Sequence, residues 1–235
     1  MNIALIIAGG VGSRTGQEIP KQFLTVNDKP ILVYTLENIQ KNGCIDKIVI
    51  VASKGWEDFV LSYAKQFGIG KLDKIVIGGS TRHESIHNGL KYIFENYSDK
   101  DIVAISDAVR PLVPQEIYKK AINSVLTTGS FSIAVEKCSD SMYNSECGSQ
   151  VTSVMDRSTL YKGQAPECGN VLMLKEIYQL AEKNNVKNLT TTELCLKYNM
   201  AVNIINGSAK SFKITTKEDI EVFKALLNAK TSNLI

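Results

Sequence analysis

Two cations in a glycine-rich stretch are the residues best placed to do chemistry. Arg14 and Lys21 flank the end of Ala8-Gly9-Gly10-Val11-Gly12-Ser13-Arg14-Thr15-Gly16, and Lys21 continues into Gln22-Phe23-Leu24. The run before them, Asn2 to Ala8, is apolar and of strand length. A buried strand that opens into a glycine-rich loop brings backbone N–H groups up to a phosphate. Glycine lacks a Cβ, so the loop can curl and let a ligand touch the main chain. Cations facing a polyphosphate neutralise charge that N–H groups only partly offset. The chemistry indicated is nucleoside triphosphate binding at the C-terminal edge of the first strand, by Ala8, Gly9, Gly10, Gly12, Arg14 and Lys21.

A second set lies further along. Asp107 closes the apolar run Ile102 to Ile105 and is placed to hold a hard cation such as Mg²⁺, which takes carboxylate and phosphate oxygens together. Arg110 is either its ion-pair partner or a substrate ligand. Gly78-Gly79-Ser80 is a second glycine loop before a helix, readable as close backbone approach or as a simple turn.

Other chemistries fit these residues less well. Gly10-x-Gly12-x-x-x-Gly16 misses the dinucleotide spacing by one residue, and no acid follows the second strand to hold a ribose. The P-loop pattern G-x-x-x-x-G-K-[ST] is absent. A turn kept for packing leaves Arg14 and Lys21 unexplained. His83-Glu84-Ser85-Ile86-His87 matches the zinc-peptidase pattern H-E-x-x-H, and these are the only histidines in the chain. That helix starts directly after the second glycine loop, which suits a nucleotide better than a metallopeptidase.

The elements that must position these residues alternate. Strands are expected at Asn2–Ala8, Lys47–Val51, Lys74–Ile77, Ile102–Ile105, Phe131–Val135 and Ala201–Ile205, with Phe212–Ile214 grouped with them. Helices are expected from Pro30 to about Lys41, Trp56 to Phe67, after Gly79, after Pro114, from Val171 to Lys183 and from Thr191. In the third, Ile86, Leu90, Ile93 and Phe94 share one face. A last helix starts at Thr215-Thr216-Lys217-Glu218, a capping-box pattern, and buries Ile220, Phe223, Leu226 and Leu227. This alternation implies an α/β fold, Rossmann-like, with a mostly parallel sheet flanked by helices and ligands at the strand C-termini. Cys138 to Leu160 is polar, Ser-rich and without helical period, too long for a plain loop. It reads as a protruding β-hairpin arm on a single domain spanning residues 1–235.

At 235 residues the chain can bury a substantial core. A net charge of +3 is too small to argue for nucleic acid or a membrane surface. Five scattered cysteines without C-x-x-C spacing indicate reduced thiols. No apolar run has the ~20 residues of a membrane helix, and the chain enters a strand at once, so a cytoplasmic protein without signal peptide is expected.

Leu5-Ile6-Ile7-Ala8-Gly9-Gly10-x-Gly12-x-Arg14 with Pro20-Lys21-Gln22-Phe23 resembles the signature of nucleotide-sugar pyrophosphorylases. More narrowly, it is similar to the cytidylyltransferases that make CDP-methylerythritol and CDP-ribitol. The resemblance implies a nucleotidyltransferase that joins CTP to a polyol phosphate, releases pyrophosphate, uses Mg²⁺ or another divalent cation at Asp107, and works as a homodimer. By it, Gly78-Gly79-x-x-Arg82-x-x-Ser85 contacts cytosine and ribose, and Asp107-Ala108-Val109-Arg110-Pro111 matches Asp-Ala-x-Arg-Pro, with Ser106 where histidine is frequent. Arg157, in Asp156-Arg157-Ser158, binds the substrate phosphate in a second subunit, and Ser141 stands where a hydroxyl lies near that phosphate. Lys213 reaches the phosphates. One departure stands out: after Leu189 the family's Thr-Asp-Glu or Thr-Asp-Ala is Thr190-Thr191-Thr192-Glu193, with Thr192 taken for the aspartate. Leu160-Tyr161-Lys162-Gly163-Gln164 and Thr192 favour ribitol 5-phosphate as acceptor; Asp156-Arg157-Ser158 leans toward 2-C-methyl-D-erythritol 4-phosphate.

Overall fold

The computed structural model describes residues 1–10 and 19–231. The chain runs β1 (Asn2–Ala8), a small ribbon of β2 (Thr25–Val26) and β3 (Lys29–Pro30), then α1 (Ile31–Gln40), β4 (Lys47–Ala52), α2 (Glu57–Gln66) and β5 (Leu72–Ile77). Next come α3 (Arg82–Asn96), β6 (Ile102–Asp107), α4 (Gln115–Thr128), β7 (Phe131–Lys137), β8 (Met142–Asn144), β9 (Ser153–Met155) and β10 (Tyr161–Asn170). The chain finishes with α5 (Val171–Lys183), α6 (Thr191–Lys197), β11 (Val202–Asn206) and α7 (Lys217–Thr231).

Seven strands form one sheet in the order β11-β7-β10-β6-β1-β4-β5. All neighbours pair in parallel except β10, which is antiparallel to both β6 and β7. Side-chain alternation divides the core into two layers. Ala4, Ile6 and Ala8 of β1 face α1, α2 and α4, whereas Ile3 and Leu5 face α3, α5 and α6. The chain moves outward from β1 through β4 to β5, then returns to place β6 on the other side of β1. That reversal opens a crevice at the carboxyl ends of β1 and β6, where open α/β sheets bind ligands.

β10 is the strand that sequence pattern did not reveal. It contains Gly163, Pro166 and Gly169 and no clean alternation. Its register against β7 shifts between Gly163 and Glu167, and Pro166 falls inside that irregularity, where no ladder N–H is required. Phe212–Ile214 is not a strand; it follows a 3₁₀ turn at Ala209–Ser211 and is held by a bond from Ile214 N to Val109 O of 3.0 Å. The cap of α7 lies one residue further on than the sequence pattern placed it. Asp219 accepts from the Thr215 and Thr216 amides at 2.7 and 2.8 Å, and Thr216 Oγ1 accepts from Asp219 N at 3.2 Å. Of that helix's apolar face Phe223 is fully buried, beside Val26, Ile31, Val109 and Ile214. The segment between β7 and β10 does hold a hairpin: β8 and β9 pair antiparallel, Met142 opposite Met155. No helix among the described residues is long and apolar enough to cross a membrane.

Candidate active site

The crevice holds a cleft of about 290 Å³, lined at one wall by Ala8, Gly9, Gly10 and Lys21. Gln22 fixes this wall. Its buried side-chain amide donates to Ala8 O at 2.6 Å and to Gly10 O at 3.1 Å, so the strand end and the start of the loop are tied together. Phe23 stacks on Trp56 with ring centroids 4.2 Å apart, which anchors the 3₁₀ turn at Lys21–Phe23 and sets Lys21 at the cleft. Gly12 and Arg14 lie outside the described residues.

The opposite wall is the second glycine loop. The start of α3 determines its shape: Glu84 Oε2 accepts from the Ser80 amide at 2.8 Å and from the Ser80 hydroxyl at 2.6 Å, while Thr81 Oγ1 accepts from Glu84 N. Ser85 Oγ, almost fully buried, accepts from Gly79 N at 3.1 Å. A Cβ at Gly79 would stand 2.3 Å from Glu84 Cβ, and one at Gly78 would stand 2.9 Å from Ser85 Oγ. These glycines are therefore demanded by the chain's own helix start pressing against the loop. Arg82 and Ser85 line the cleft from this side.

Asp107 is the floor. Among the described lining residues it is the one carboxylate, and three cations converge on it. Arg110 Nε donates to Oδ2 at 3.0 Å, Lys213 Nζ sits 3.2 Å from Oδ1, and Arg82 Nε sits 3.7 Å from the same oxygen. Burial alone would raise the Asp107 pKa, but Lys213, Arg82 and Arg110 outweigh it and hold the carboxyl well below its usual range. Arg110 is itself buried and also donates to Ser211 O at 2.6 Å, so it braces the turn that delivers Lys213. Arg110 is not a lining residue; Lys213, one-third exposed, is.

Two residues of β10 support this floor, and neither was singled out as a site residue from sequence. Gln164 accepts from Ser208 N at 3.0 Å and donates to Ser208 O at 2.9 Å, clamping the segment that precedes Lys213. Glu167, 6% exposed, is held above the ordinary carboxylate range by burial, which Arg82 only partly offsets. Its neighbour on α6 is the Thr191 hydroxyl. Thr190 caps α6 in a capping box with Glu193, which turns Thr191 inward, where it also meets Tyr178 OH at 3.1 Å. Thr191, then, is the threonine beside Glu167. Thr192 does not line the cleft, and its buried Oγ1 has no hydrogen-bond partner among the described residues. Long-range contacts carry the placements of Gln164 and Glu167, so sequence spacing held no signal for them, whereas the inward turn of Thr191 follows from the local Thr190–Glu193 capping box.

Ser141 and Arg157 sit at the base of the hairpin, exposed, and Arg157 donates to Ser139 O at 2.6 Å. Neither lines the cleft within the single chain. The H-E-x-x-H segment does not build a zinc site. His83 Nδ1 packs 3.0 Å from Leu189 O, both imidazoles lie against the Tyr178 ring, and Glu84 is spent on the loop. Among the described residues no three His, Cys, Asp or Glu side chains group as a metal site. A lone carboxylate fits a hard ion that arrives on phosphates, because Mg²⁺ commonly takes one or two carboxylates and completes its shell with substrate oxygens and water.

The profile of the family described as 2-C-methyl-D-erythritol 4-phosphate cytidylyltransferase matches residues 2–229. The chain is 33% identical to the ribitol-5-phosphate cytidylyltransferase of Lacticaseibacillus paracasei over 98% of its own length and 99% of that protein's. It is 34% identical to the protein of the same description from Vibrio parahaemolyticus, covering 97% and 96%. Among solved structures, the 4-diphosphocytidyl-2C-methyl-D-erythritol synthase of Anaerococcus prevotii superposes with a TM-score of 0.81 at 24% identity, over 97% of this chain and 96% of that one. That likeness is one of fold. With the family profile and the relatives it is decisive for kind: the chain belongs to the 2-C-methyl-D-erythritol 4-phosphate cytidylyltransferase family and is a nucleotidyltransferase.

Proposed function

We propose that this enzyme transfers the cytidylyl group of CTP to ribitol 5-phosphate, giving CDP-ribitol and pyrophosphate. The observation that carries the reading is the cleft at the β1–β6 switch point, where Lys21, Arg82 and Lys213 line the same space as the carboxylate of Asp107. In the reaction an acceptor phosphate oxygen bonds to the α-phosphorus as the bond from that phosphorus to the bridging oxygen of the β-phosphate breaks. A phosphate monoester is mostly dianionic at neutral pH, its second pKa being about 6, so no general base is needed. No histidine or cysteine lines the cleft among the described residues, in keeping with that. The work left to the protein is positioning and charge stabilisation.

Lys21 and the Ala8-Gly9-Gly10 backbone take the triphosphate; Gly12 and Arg14 join them on sequence grounds. Gly78, Gly79, Arg82 and Ser85 take the cytidine end. Lys213 meets the incoming phosphate. Asp107 would hold Mg²⁺, which when bound supplies charge neutralisation along the triphosphate. Ser141 and Arg157 complete the acceptor subsite from a second copy of the chain, and Thr192 is assigned to the acceptor side by resemblance. The relatives named for ribitol 5-phosphate support that acceptor; the family description supports methylerythritol phosphate as the second reading.

A matrix of the four nucleoside triphosphates against ribitol 5-phosphate, other linear polyol phosphates and 2-C-methyl-D-erythritol 4-phosphate, read by pyrophosphate release, tests this. CTP with ribitol 5-phosphate should give the highest kcat/KM. Faster turnover of methylerythritol phosphate would overturn the acceptor, and preference for another triphosphate would overturn the nucleotide.

A further inference from the structure

Glu167 is a buried carboxylate that the proposed reaction leaves unused. It stands opposite Ile105 in the β10–β6 ladder, and directly opposed residues share a sheet face. Asp107 is two residues beyond Ile105 on the same strand, so both acids project toward α3. Glu167 Oε2 is buried without a hydrogen-bond partner among the described residues, a costly state for a carboxylate oxygen. Two cations act on both acids, Arg82 at the start of α3 and Arg110, and of the two Arg82 acts more strongly on Glu167. It is only loosely engaged with Asp107, at 3.7 Å through Nε, on an oxygen it shares with Lys213.

A divalent cation cannot take that oxygen while two side-chain cations crowd it, because like charges at such distances repel strongly in a partly buried site. Arg110 cannot make room; its guanidinium is pinned by Asp107 Oδ2 and Ser211 O. Lys213 and Arg82 both line the cleft and are partly exposed, so they are the ones that move. Lys213 has the ligand's phosphates to turn to. We propose that Glu167 is a positioning residue that receives the Arg82 guanidinium when Asp107 turns to a metal–nucleotide complex. The unpartnered Oε2 is then the acceptor held in reserve. This keeps Arg82 inside the site, aimed at the nucleotide, rather than competing for Asp107. The inference rests on the reading of Asp107 as the residue that meets a metal-bound triphosphate.

Glu167→Gln keeps the shape and removes the charge. Free Mn²⁺ measured by electron paramagnetic resonance during titration into enzyme plus CTP, without acceptor, reads binding independently of turnover. Glu167→Gln should weaken Mn²⁺–CTP binding about tenfold, as expected for coupled neighbours. In an Arg82→Ala background the same change should have no further effect, since the displaced group is gone. A merely structural role for Glu167 would weaken binding equally in both backgrounds, and that result overturns the inference. So does wild-type affinity in Glu167→Gln. Failure of the wild-type enzyme to bind Mn²⁺–CTP would overturn the nucleotide reading, and this inference with it.

Discussion

Asp107 carries three cations on two oxygens, and the partners differ in what they are for. Arg110 is buried on both sides of its contact and bonded a second time to Ser211 O. Lys213 is one-third exposed and reaches Asp107 from the cleft side. Replacing each with alanine should therefore separate stability from chemistry. Lys213→Ala should lower kcat by about 10²–10³, the usual loss for one preorganised charge-stabilising contact. Its effect on urea denaturation should be smaller than that of Arg110→Ala, since Lys213 is partly exposed and screened by solvent while Arg82 and Arg110 stay on the buried carboxylate. Arg110→Ala should cost about 3 kcal/mol of folding stability, because it strips a partner from a buried charge pair. A Lys213→Ala enzyme within a few-fold of wild type in kcat would remove that lysine from the reaction. Lys21→Ala should behave as Lys213→Ala does, and Lys21→Arg should restore it only in part, a planar fork being a poor copy of a point charge.

At the scale of elements, the β8–β9 hairpin is the anomaly. Isolated two-stranded hairpins are marginal in water. This one has strands of three residues and leaves Tyr143 57%, Val151 62% and Val154 69% exposed. These exposed apolar side chains would be covered if the hairpin met a partner surface. Its tip is chemically marked. Cys147 is fully exposed, and hydrogen bonds from Ser149, then from the nearby backbone, pull its thiol down to about 7. Burial drives the Cys168 thiol upward and lifts Cys195 to about 12, and Cys138 is buried as well. Iodoacetamide should accordingly modify Cys147 first, with a rate that rises through pH 7 as the thiolate forms. Peptide mass spectrometry of the alkylated protein reads both the site and the midpoint. Equal labelling of Cys138 and Cys147, or a midpoint near 8.5, would show the tip hydrogen bonds to be absent in solution.

For the whole molecule, the proposed function makes completion of the acceptor subsite depend on assembly. Arg157 and Ser141 lie at the hairpin base and away from the cleft of their own chain. Deleting Ser139 to Val154 and bridging with glycines should yield a folded monomer with little activity, as read by light scattering and turnover. Mixing Arg157→Ala chains with Lys21→Ala chains should restore part of the activity, because one site of the mixed dimer would hold both wild-type residues. No recovery in verified mixed dimers would place Arg157 outside the neighbour's chemistry.

Much of this was local and so legible in the chain. The two glycine loops, the apolar face of Ile86, Leu90 and Ile93, and the alternation of strand with helix all depend on residues a few positions apart. Short-range periodicity records such features directly. The reversal of strand order at β1, which places Asp107 beside Ala8-Gly9-Gly10, was inferable only as a property of alternating α/β chains. Tertiary structure alone decided the rest. It inserted β10 antiparallel between β6 and β7 with Pro166 in a ladder irregularity. It made Gly78 and Gly79 a packing requirement of Glu84 and Ser85. It turned Thr191 toward Glu167 in place of Thr192. It also brought Arg82 and Lys213 to the carboxylate that Arg110, three residues further along, pairs with locally. Most of these contacts join residues far apart along the chain, and which ones meet depends on the register of neighbouring strands. Shifting that register by one residue would turn every side chain of the strand to the other face.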